Sequence, residues 1–286
     1  MVDDFLLQKL VCPKCNSDLK KEAGVILCTN CRESFLSKDD KVFFSQSPKD
    51  RPKLLNLDPT NQKRWSNWRK SNYIYFKKHL EELPSSKSIL DLGAGFCQFR
   101  DLTERFEKSV RVDFLPYQLI DVVADLTQKL PFKDSSFDIV LLSNVLEHIP
   151  DSKSLLRECF RVLKLEGFVM GTFPFLIRAH QRPYDFHRFT NYMSERILRE
   201  SEFKKVAVEN LGYPIDVYRS IQYHFFGYLF ATKFSENKIM DFILKLLGKA
   251  IWQIQKLLMF IFYPIYKKVM KDEGYTQGYG FLGFKQ

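Results

Sequence analysis

The stretch "SILDLGAGFCQFRDLTERF", residues 88–106, sets the architecture of the chain, because an apolar run meets two closely spaced glycines and then a more polar segment. We predict a buried strand over Ser88 to Leu92, a tight turn, and a helix that begins near Gln98. Gly93 and Gly95 carry no Cβ, so the backbone can turn sharply there and approach a ligand closely. A dinucleotide-binding turn would carry a third glycine at position 98, where helix and pyrophosphate crowd together. Gln98 at this position therefore favours a ligand without a pyrophosphate.

Acidic residues follow the next predicted strands at positions suited to a nucleoside. The second strand, "SVRVDF", ends in Asp113, twenty residues after Gly93, where a carboxylate can accept both hydroxyls of a ribose. Asp125 closes a third short strand, and together with Leu126 it can bond an adenine amino group and flank the ring. The apolar run "FDIVLLS" is typical of a parallel strand buried on both faces, and it delivers Asn144 to its carboxyl end.

Strands that alternate with helices predict an α/β fold with a doubly wound parallel sheet. The ligand of such a sheet binds outside the carboxyl ends of the strands, at the topological switch point. The residues that we expect at this edge are Asp91, Gly93, Gly95, Asp113, Asp125 and Asn144.

Four successive motifs over about residues 87 to 211 resemble those of the class I S-adenosylmethionine-dependent methyltransferases, of the broad type 11 group. They are "ILDLGAGFCQF", "VDFLP", "ADLTQKLPFKDSSFDIVLLSNVLEHI" and "LLRECFRVLKLEGFVMGTFP". The resemblance implies a Rossmann-like sheet and S-adenosylmethionine as the cofactor. It assigns Asp91, Gly93 and Gly95 to the methionine part, Asp113 to the ribose, Asp125 and Leu126 to the adenine, and Asn144 to the neighbourhood of the sulfonium. A dinucleotide-binding fold or an inactive relative stays open as the alternative.

The loop "AHQRPYDFHRFT", residues 179–190, follows the predicted fifth strand and concentrates titratable and aromatic groups. A hydroxyl acceptor needs a base to remove its proton, and His180, Asp185 and His187 are candidates for that role. Type 11 enzymes look similar here, with a Pro-Tyr-Asp-aromatic-aromatic-Arg-aromatic-Thr string, but this chain has His187 at an aromatic position. His148 in "LEHIP" is a further candidate base. The structural alternative is that Asp185 pairs with Arg188 and the loop only caps the following helix.

Cysteines at positions 12, 15, 28 and 31 form the pattern C-x2-C-x12-C-x2-C. Two CxxC knuckles place four thiolates around one ion, so we predict a structural Zn²⁺ site at Cys12, Cys15, Cys28 and Cys31. Two disulfides or free thiols are the alternatives. The intervening "DLKKEAGVIL" fits a short hairpin. The stretch resembles the zinc-ribbon modules of small proteins that accompany certain tRNA methyltransferases, with "KVFFS" as the closing strand.

A hydrophobic insertion interrupts the end of the predicted core. Members of the resembled family end their sheet with two antiparallel strands, and "KKVAVENLGY" and "GYGFLGFK" look like that pair. Between them, "LLMFIFYPIY" is the longest uncharged run and is far shorter than the ~20 residues that span a bilayer. Lysines follow this run, so residues 239–271 are predicted to lie along a membrane surface. A helical lid and a dimer face are the alternatives.

The composition is that of a folded protein of 286 residues with 45% hydrophobic residues and a formal net charge of +10. The basic residues form no long run, so nucleic acid is the less favoured partner. The N-terminus lacks a long apolar segment, and we expect a cytoplasmic protein, peripheral on the inner membrane surface if the insertion binds lipid. The predicted organisation is a zinc ribbon (1–45), a linker and helix (46–86), a methyltransferase core (87–211), a hydrophobic helical insertion (212–275) and a final core strand (276–286).

The sequence thus predicts a methyltransferase that acts on an oxygen of a glycan, a lipid-linked sugar or a small-molecule acceptor. One alternative is a ribosomal or transfer RNA methyltransferase that uses the ribbon for recognition. The fourth-strand turn "SNVLEHIP" lacks the Asn/Asp-Pro-Pro-aromatic tetrad common in enzymes that methylate base nitrogens. Another alternative is a non-catalytic scaffold that retains the cofactor fold.

Overall fold

The computed structural model describes residues 2–22, 24–45, 65–233, 235–269 and 274–286. The helices are α1 (Asp4–Lys9), α2 (Asn67–Leu80), α3 (Arg100–Thr103), α4 (Ser152–Val162), α5 (Asn191–Glu200), α6 (Pro214–Ala231) and α7 (Lys238–Val269), and a 3-10 turn spans Leu146–His148. The first strands are β1 (Leu19–Glu22), β2 (Val25–Cys28), β3 (Ser34–Lys38) and β4 (Lys41–Phe43). The others are β5 (Ser88–Leu92), β6 (Lys108–Asp113), β7 (Val122–Val123), β8 (Phe137–Ser143), β9 (Leu163–Pro174), β10 (Lys204–Leu211) and β11 (Gly278–Phe284).

One sheet runs through the described strands in the order β1-β2-β3-β4-β7-β6-β5-β8-β9-β11-β10. Strands β7, β6, β5, β8 and β9 are mutually parallel, whereas β11 pairs antiparallel with both β9 and β10. The order turns back on itself at β5, with β6 on one side and β8 on the other, which is the switch point of a doubly wound sheet. The predicted Rossmann-like fold, with two antiparallel strands at its end, is confirmed.

The central strands bury both faces, as their continuous apolar runs predict. On β8, Val140 and Leu142 pack with α4 and α5 in one cluster, whereas Ile139 and Leu141 pack with α2 in another. This alternation follows the two-residue period of a strand, which sends successive side chains to opposite faces. The helices on the two faces thus hold the carboxyl ends of the strands in fixed positions.

The N-terminal four-cysteine segment continues the core sheet, a connection that the sequence did not indicate. Strand β4 pairs in parallel with β7 through Val42 opposite Val122 and Phe43 opposite Val123. Leu10 bridges to Phe132, and both are fully buried. Leu10 and Val42 belong to the same hydrophobic cluster as the core strands. The segment is therefore packed against the core, and its strands extend the sheet beyond β7.

The helix predicted near Gln98 begins at Arg100 and is only four residues long. The chain between Gly93 and Phe99 forms turns, and Cys97 has a φ of +54° that no helix contains. Phe99 is buried and its ring lies 5.4 Å from that of Phe76 on α2. The aromatic packing of Phe99 therefore fixes where the turn ends and the helix can start.

The hydrophobic insertion forms two helices, α6 and α7, that contact each other. Phe226 stacks on Trp252 with ring centroids 6.1 Å apart, and the Gln222 amide donates to Gln255 over 2.6 Å. Many large apolar side chains of α7 nevertheless remain exposed, among them Phe260 at 81%. None of the described helices is both long and apolar enough to cross a membrane. Residues 234 and 270–273 of the predicted insertion, and residues 46–64 of the predicted linker, lie outside the described residues.

Candidate functional site

A cavity of about 750 Å³ opens at the carboxyl ends of the parallel strands, which is the size range of cofactor sites. Its walls come from the turns after β5, β6, β7 and β8, from α2, and from the loop after β9. The lining includes Gly93, Gly95, Asp113, Asp125, Leu126, Asn144, His148 and His180, which are eight of the residues singled out by sequence. The edge predicted from strand alternation is therefore concave, and it brings most of the predicted cofactor residues together.

The glycine turn after β5 has a backbone that other residues rarely adopt. Gly93 has a φ of +71° and Gly95 a φ of +54°. A Cβ built on Gly93 would lie 2.5 Å from Cγ2 of Val145, whereas one on Gly95 would meet nothing within 4 Å. Gly93 is thus required by close packing of the turn, and Gly95 by its backbone conformation. A cradle of this kind leaves room for a ligand against the main chain.

Asp113 lies at the end of β6 and is held by the glycine turn. Its carboxylate accepts from the backbone N–H of Gly95 and of Leu115, each over 2.9 Å. Burial raises the pKa of Asp113, while these N–H donors act in the opposite direction. Each carboxylate oxygen has two lone-pair sites, so both keep one for a further donor. The side chain can therefore receive two hydroxyls, as its predicted contact with a ribose requires.

Asp125 and Asn144 are positioned by local hydrogen bonds on two sides of the cavity. One Asp125 oxygen accepts from the N–H and the hydroxyl of Thr127, over 2.9 and 2.8 Å, which forms a turn. Leu126 beside it is buried. Asn144 has a φ of +55°, and its side-chain oxygen accepts from the Trp68 indole over 2.9 Å. The hydrogen bond from Trp68 on α2, a helix outside the predicted core, thus stabilises the strained turn after β8.

Asp91 is buried on β5, behind the wall that the described residues form around the cavity. Burial raises its pKa to about 7, and the nearby Arg111 guanidinium acts to lower it. The structure therefore places Asp91 on β5, outside the described cavity lining, and its predicted contact with the methionine part stays a prediction.

The loop after β9 contributes unequally to the cavity. His180 of this loop lines the cavity wall, next to His148 from the turn after β8. Burial lowers the pKa of both imidazoles. Asp185 instead forms a two-pronged ion pair with Arg188, at 2.6 and 2.8 Å, which holds the pKa of that carboxyl at about 2. His187 lies off the described cavity wall.

The surroundings of His187 explain its position. Its Nε2 lies 3.1 Å from the carbonyl oxygens of Ile149 and Pro150, and its ring stacks on Phe189. Thr190 caps α5 by accepting from the N–H of Met193. His187 and Asp185 thus organise the loop, as the structural alternative describes, while His148 and His180 face the space where an acceptor would lie.

Several cavity residues were missed by sequence reasoning. Trp68, Arg69 and Asn72 come from α2, which had been assigned only to a linker and helix, and Ser45 follows the ribbon strand β4. The signal that could have found α2 is its cluster of aromatic and polar residues, "RWSNWRKSNYIYF". Nothing in the sequence around Ser45 indicates that the ribbon reaches the cavity.

The four cysteines of the N-terminal segment are brought together without disulfides. Their Sγ atoms all lie within 4.8 Å of one another, with Cys12 and Cys31 at 3.6 Å and Cys15 and Cys28 at 3.4 Å. Tetrahedral zinc with Zn–S bonds of about 2.3 Å separates its sulfurs by about 3.8 Å. The described thiols therefore fit the predicted ion, and the cluster suggests a zinc site.

Comparison with known proteins agrees with this geometry. Residues 90–171 match the family described as "Methyltransferase domain". An uncharacterized protein of Methanocaldococcus jannaschii is 26% identical over 57% of this chain and 88% of its own length. The ubiquinone/menaquinone biosynthesis C-methyltransferase of Xylella fastidiosa is 39% identical over 24% of this chain, and the alignment spans only 28% of that enzyme.

Among solved structures, a SAM dependent methyltransferase from Archaeoglobus fulgidus aligns at a TM-score of 0.48 with 17% identity, over 78% of this chain and 96% of that chain. The family match, from Leu90 to Gly171, covers the turns after β5, β6, β7 and β8, whereas α2 and the loop after β9 lie outside it. Residues 90–171 of the chain therefore match a methyltransferase domain, and the match and the strand order together support a class I, S-adenosylmethionine-dependent methyltransferase.

Proposed function

We propose that the protein transfers a methyl group from S-adenosylmethionine to an oxygen of a glycan, a lipid-linked sugar or another small acceptor. The observation that carries the proposal is the two-sided cavity. One side holds Gly93, Asp113 and Asp125, which suit an adenosyl group, and the other holds His148 and His180 beside the sulfonium position assigned to Asn144.

Methyl transfer from a sulfonium is an in-line displacement, so the protein must chiefly align the two reactants and exclude water. The cofactor supplies the activated methyl group. Asp113 would hold the ribose, and Asp125 with Leu126 would hold the adenine. The turn at Asn144, fixed by Trp68, would set the distance between the methyl group and the acceptor.

An oxygen acceptor also requires a group that can take its proton. Desolvation lowers the pKa of His148 and of His180, so both imidazoles are neutral near pH 7 and can accept a proton. Tyr184 lies in the same wall with 45% of its surface exposed. These three side chains form the wall that we assign to the acceptor.

The acceptor class is tested with labelled S-adenosylmethionine and three substrate pools: lipid-linked glycans, free small metabolites, and ribosomal and transfer RNA. We expect label in a glycan or small-molecule fraction, where the methyl group is bound to an oxygen atom. The variant His180→Asn, in the wall that we assign to the acceptor, is expected to lose this labelling. His224→Asn, an exposed change on α6, is its matched control and is expected to retain it. Label confined to RNA would replace the proposal by the ribonucleic acid alternative, and tight cofactor binding without labelling of any pool would favour the scaffold.

We also propose that the four cysteines bind structural zinc. Four thiolate ligands leave no open position for water, so this ion would stabilise the ribbon and would perform no step of the methyl transfer. The fit of the four Sγ atoms supports this assignment. The ribbon strand β4 ends next to Ser45 in the cavity wall, so its order also matters for the cofactor side.

The insertion is proposed to bind a membrane surface through α7. Leu257, Phe260 and Ile261 expose 59%, 81% and 54% of their surfaces, and exposed lysines accompany them on the same helix. A helix of this composition can lie in the interface, with its lysines at anionic headgroups. The acceptor would then be a lipid-linked molecule presented at that surface.

Vesicle flotation tests the membrane proposal. We expect the protein to float with vesicles that contain anionic lipid, and the triple variant Leu257→Ser, Phe260→Ser, Ile261→Ser to remain in the dense fraction, because ~0.8 kcal/mol per buried CH₂ is lost. Leu165→Ser, at a 71% exposed site on β9, is the matched control. Equal flotation of the triple variant and the wild type would contradict the proposal.

A further inference from the structure

Glu147 is a buried carboxyl group that makes no hydrogen bond to any described residue. It follows directly on the strand-to-turn segment after β8, and its side chain is 0% exposed. Neither carboxylate oxygen has a hydrogen-bond partner among the described residues. Burial raises its pKa to about 8. Buried carboxylates are normally paired or bound to metal ions, so a group of this kind requires an explanation.

Two imidazoles lie against this carboxyl group, one from the adjacent residue and one from the loop after β9. Nε2 of His148 is 3.7 Å from Oε1 of Glu147, and Nε2 of His180 is 3.9 Å from the same oxygen. The two imidazole rings meet edge to face with centroids 5.1 Å apart. One ligand atom from each of the three residues lies within 4.8 Å of the others. These separations are too long for hydrogen bonds but suit three ligands around one ion.

The expected ligand spacing supports a cation. Metal–nitrogen and metal–oxygen bonds of about 2.1 Å in a tetrahedral site separate the ligand atoms by about 3.4 Å. The observed gaps of 3.7 and 3.9 Å are slightly wider, so a small contraction would close the site. Two histidines and one glutamate are a ligand set that zinc and other first-row divalent ions use in proteins.

Outer hydrogen bonds prepare both imidazoles for coordination through Nε2. Nδ1 of His148 donates to the Tyr184 carbonyl oxygen, so its Nε2 carries the free lone pair, and that atom has no described partner. Nδ1 of His180 donates to the Arg178 carbonyl oxygen over 3.4 Å, and it also lies 3.5 Å from the Asp185 carboxylate, which Arg188 holds in place. Metal-bound histidines almost always have such a carbonyl or carboxylate on the other ring nitrogen. The Asp185–Arg188 pair would then have a further role, which is to orient the His180 imidazole for metal binding.

We propose that Glu147, His148 and His180 bind a divalent first-row transition cation at the acceptor side of the cavity. His148 and His180 line the cavity and Glu147 does not, so an open coordination position would face the cavity. The acceptor oxygen would occupy that position, where the cation would orient it toward the sulfonium site and lower its pKa. With their Nε2 lone pairs bound to the cation, the two imidazoles would then act as ligands and not as the proton acceptors considered above. This second step rests on the proposed function, whereas the binding of the cation does not.

Cobalt titration tests the site directly, without cofactor or acceptor. The full chain is kept with one equivalent of Zn²⁺, because the four soft thiolates of the ribbon retain zinc. Co²⁺ is then added and followed by calorimetry and visible absorption. We expect one Co²⁺ per chain, without the charge-transfer band of a cobalt thiolate.

Two variants and one control locate the ion. Glu147→Gln and His180→Asn are each expected to weaken Co²⁺ binding by at least about 100-fold, more than the loss of an outer partner causes. The control His224→Asn, on an exposed face of α6, is expected to leave it unchanged. No Co²⁺ beyond the zinc equivalent, or equal binding by Glu147→Gln and wild type, would overturn the proposal.

Two further measurements separate this inference from folding and from the proposed function. Without metal, Glu147→Gln is expected to melt at or above the wild-type temperature, because the change removes an unpaired buried carboxyl group. With Co²⁺, only the wild type and the control are expected to melt at a higher temperature. Calorimetry with S-adenosylmethionine tests the cofactor side separately. A wild-type protein that binds cobalt but not S-adenosylmethionine would contradict the proposed methyltransferase and would still support the metal site.

Discussion

Asp113→Asn is expected to weaken binding of S-adenosylmethionine by roughly 100-fold or more. The carboxylate accepts from Gly95 and Leu115 and would also receive the ribose hydroxyls. Asparagine offers only one acceptor oxygen, so one backbone N–H or one hydroxyl loses its partner. Hydrogen bonds to a charged group contribute about 1.5–3 kcal/mol each, and about 1.4 kcal/mol corresponds to a factor of ten. Titration calorimetry with the cofactor and with its demethylated product measures the change.

The matched control for this prediction is Asp101→Asn. Asp101 lies on α3 and accepts from the Tyr73 hydroxyl over 2.7 Å, at an exposed position away from the cavity wall. Its replacement should leave cofactor affinity unchanged, and thermal melts should show both variants folded. Affinity of Asp113→Asn within threefold of the wild type would mean that this edge of the sheet does not hold a ribose, and the cofactor assignment would fall with it.

Cys28→Ser is expected to release the proposed zinc and to unfold the outer strands of the ribbon. Structural zinc in isolated fingers contributes about 10–16 kcal/mol of apparent binding free energy, which is also folding free energy. Among the strands that the structure describes, β1, β2 and β3 pair only with one another and with β4, so we expect their amide hydrogens to exchange rapidly. Strand β4 should keep more protection, because β7 pairs with it from the core side. Metal analysis and hydrogen exchange by mass spectrometry measure both effects.

Cys159→Ala is the control for a cysteine outside the cluster. Cys159 is fully buried on α4, so its loss should lower the melting temperature slightly and leave the zinc content at one equivalent. Full protection of β1 to β3 in Cys28→Ser would show that packing alone holds the ribbon. In that case the buried Leu10 and Ile26, which join the core cluster, supply enough of its stability without metal.

The linear order of the chain was sufficient to predict the parallel core and most of the cofactor wall. Residues Ser88–Leu92 form the predicted strand, and β6 ends at Asp113 as expected. The reason is that a buried parallel strand must be apolar over its whole length, and its carboxyl end must join the ligand edge. Position along such a strand therefore fixes position in space, which is why the sequence predicts that Asp113, Asp125 and Asn144 lie at one edge of the sheet, where they line the cavity.

Residues that reach the cavity from distant elements were not predictable in this way. Trp68 approaches Asn144 across 76 positions of sequence, and Ser45 follows a ribbon strand that joins the sheet beside β7. No local period encodes such contacts, since they depend on which edges and faces remain uncovered after the core has formed. The same holds for His187, which is one of the candidate bases by sequence yet stacks on Phe189 away from the cavity wall.

Local patterns of the chain specified its strands, its glycine turn and its four-cysteine cluster, because burial, backbone freedom and metal geometry each impose a short and regular spacing. Only the tertiary structure brings together the residues of the wall that we assign to the acceptor. Glu147, His148 and His180 come from two segments more than thirty positions apart, and neither segment carries a recognisable ligand spacing. They meet because the loop after β9 folds back onto the turn after β8, where the N–H of Phe186 donates to the Glu147 carbonyl oxygen over 2.8 Å. A carboxyl group without a hydrogen-bond partner among the described residues is thereby enclosed beside two imidazoles, its neighbour His148 and the distant His180. The approach of His180 depends on tertiary contacts, so the spacing of the residues does not predict it.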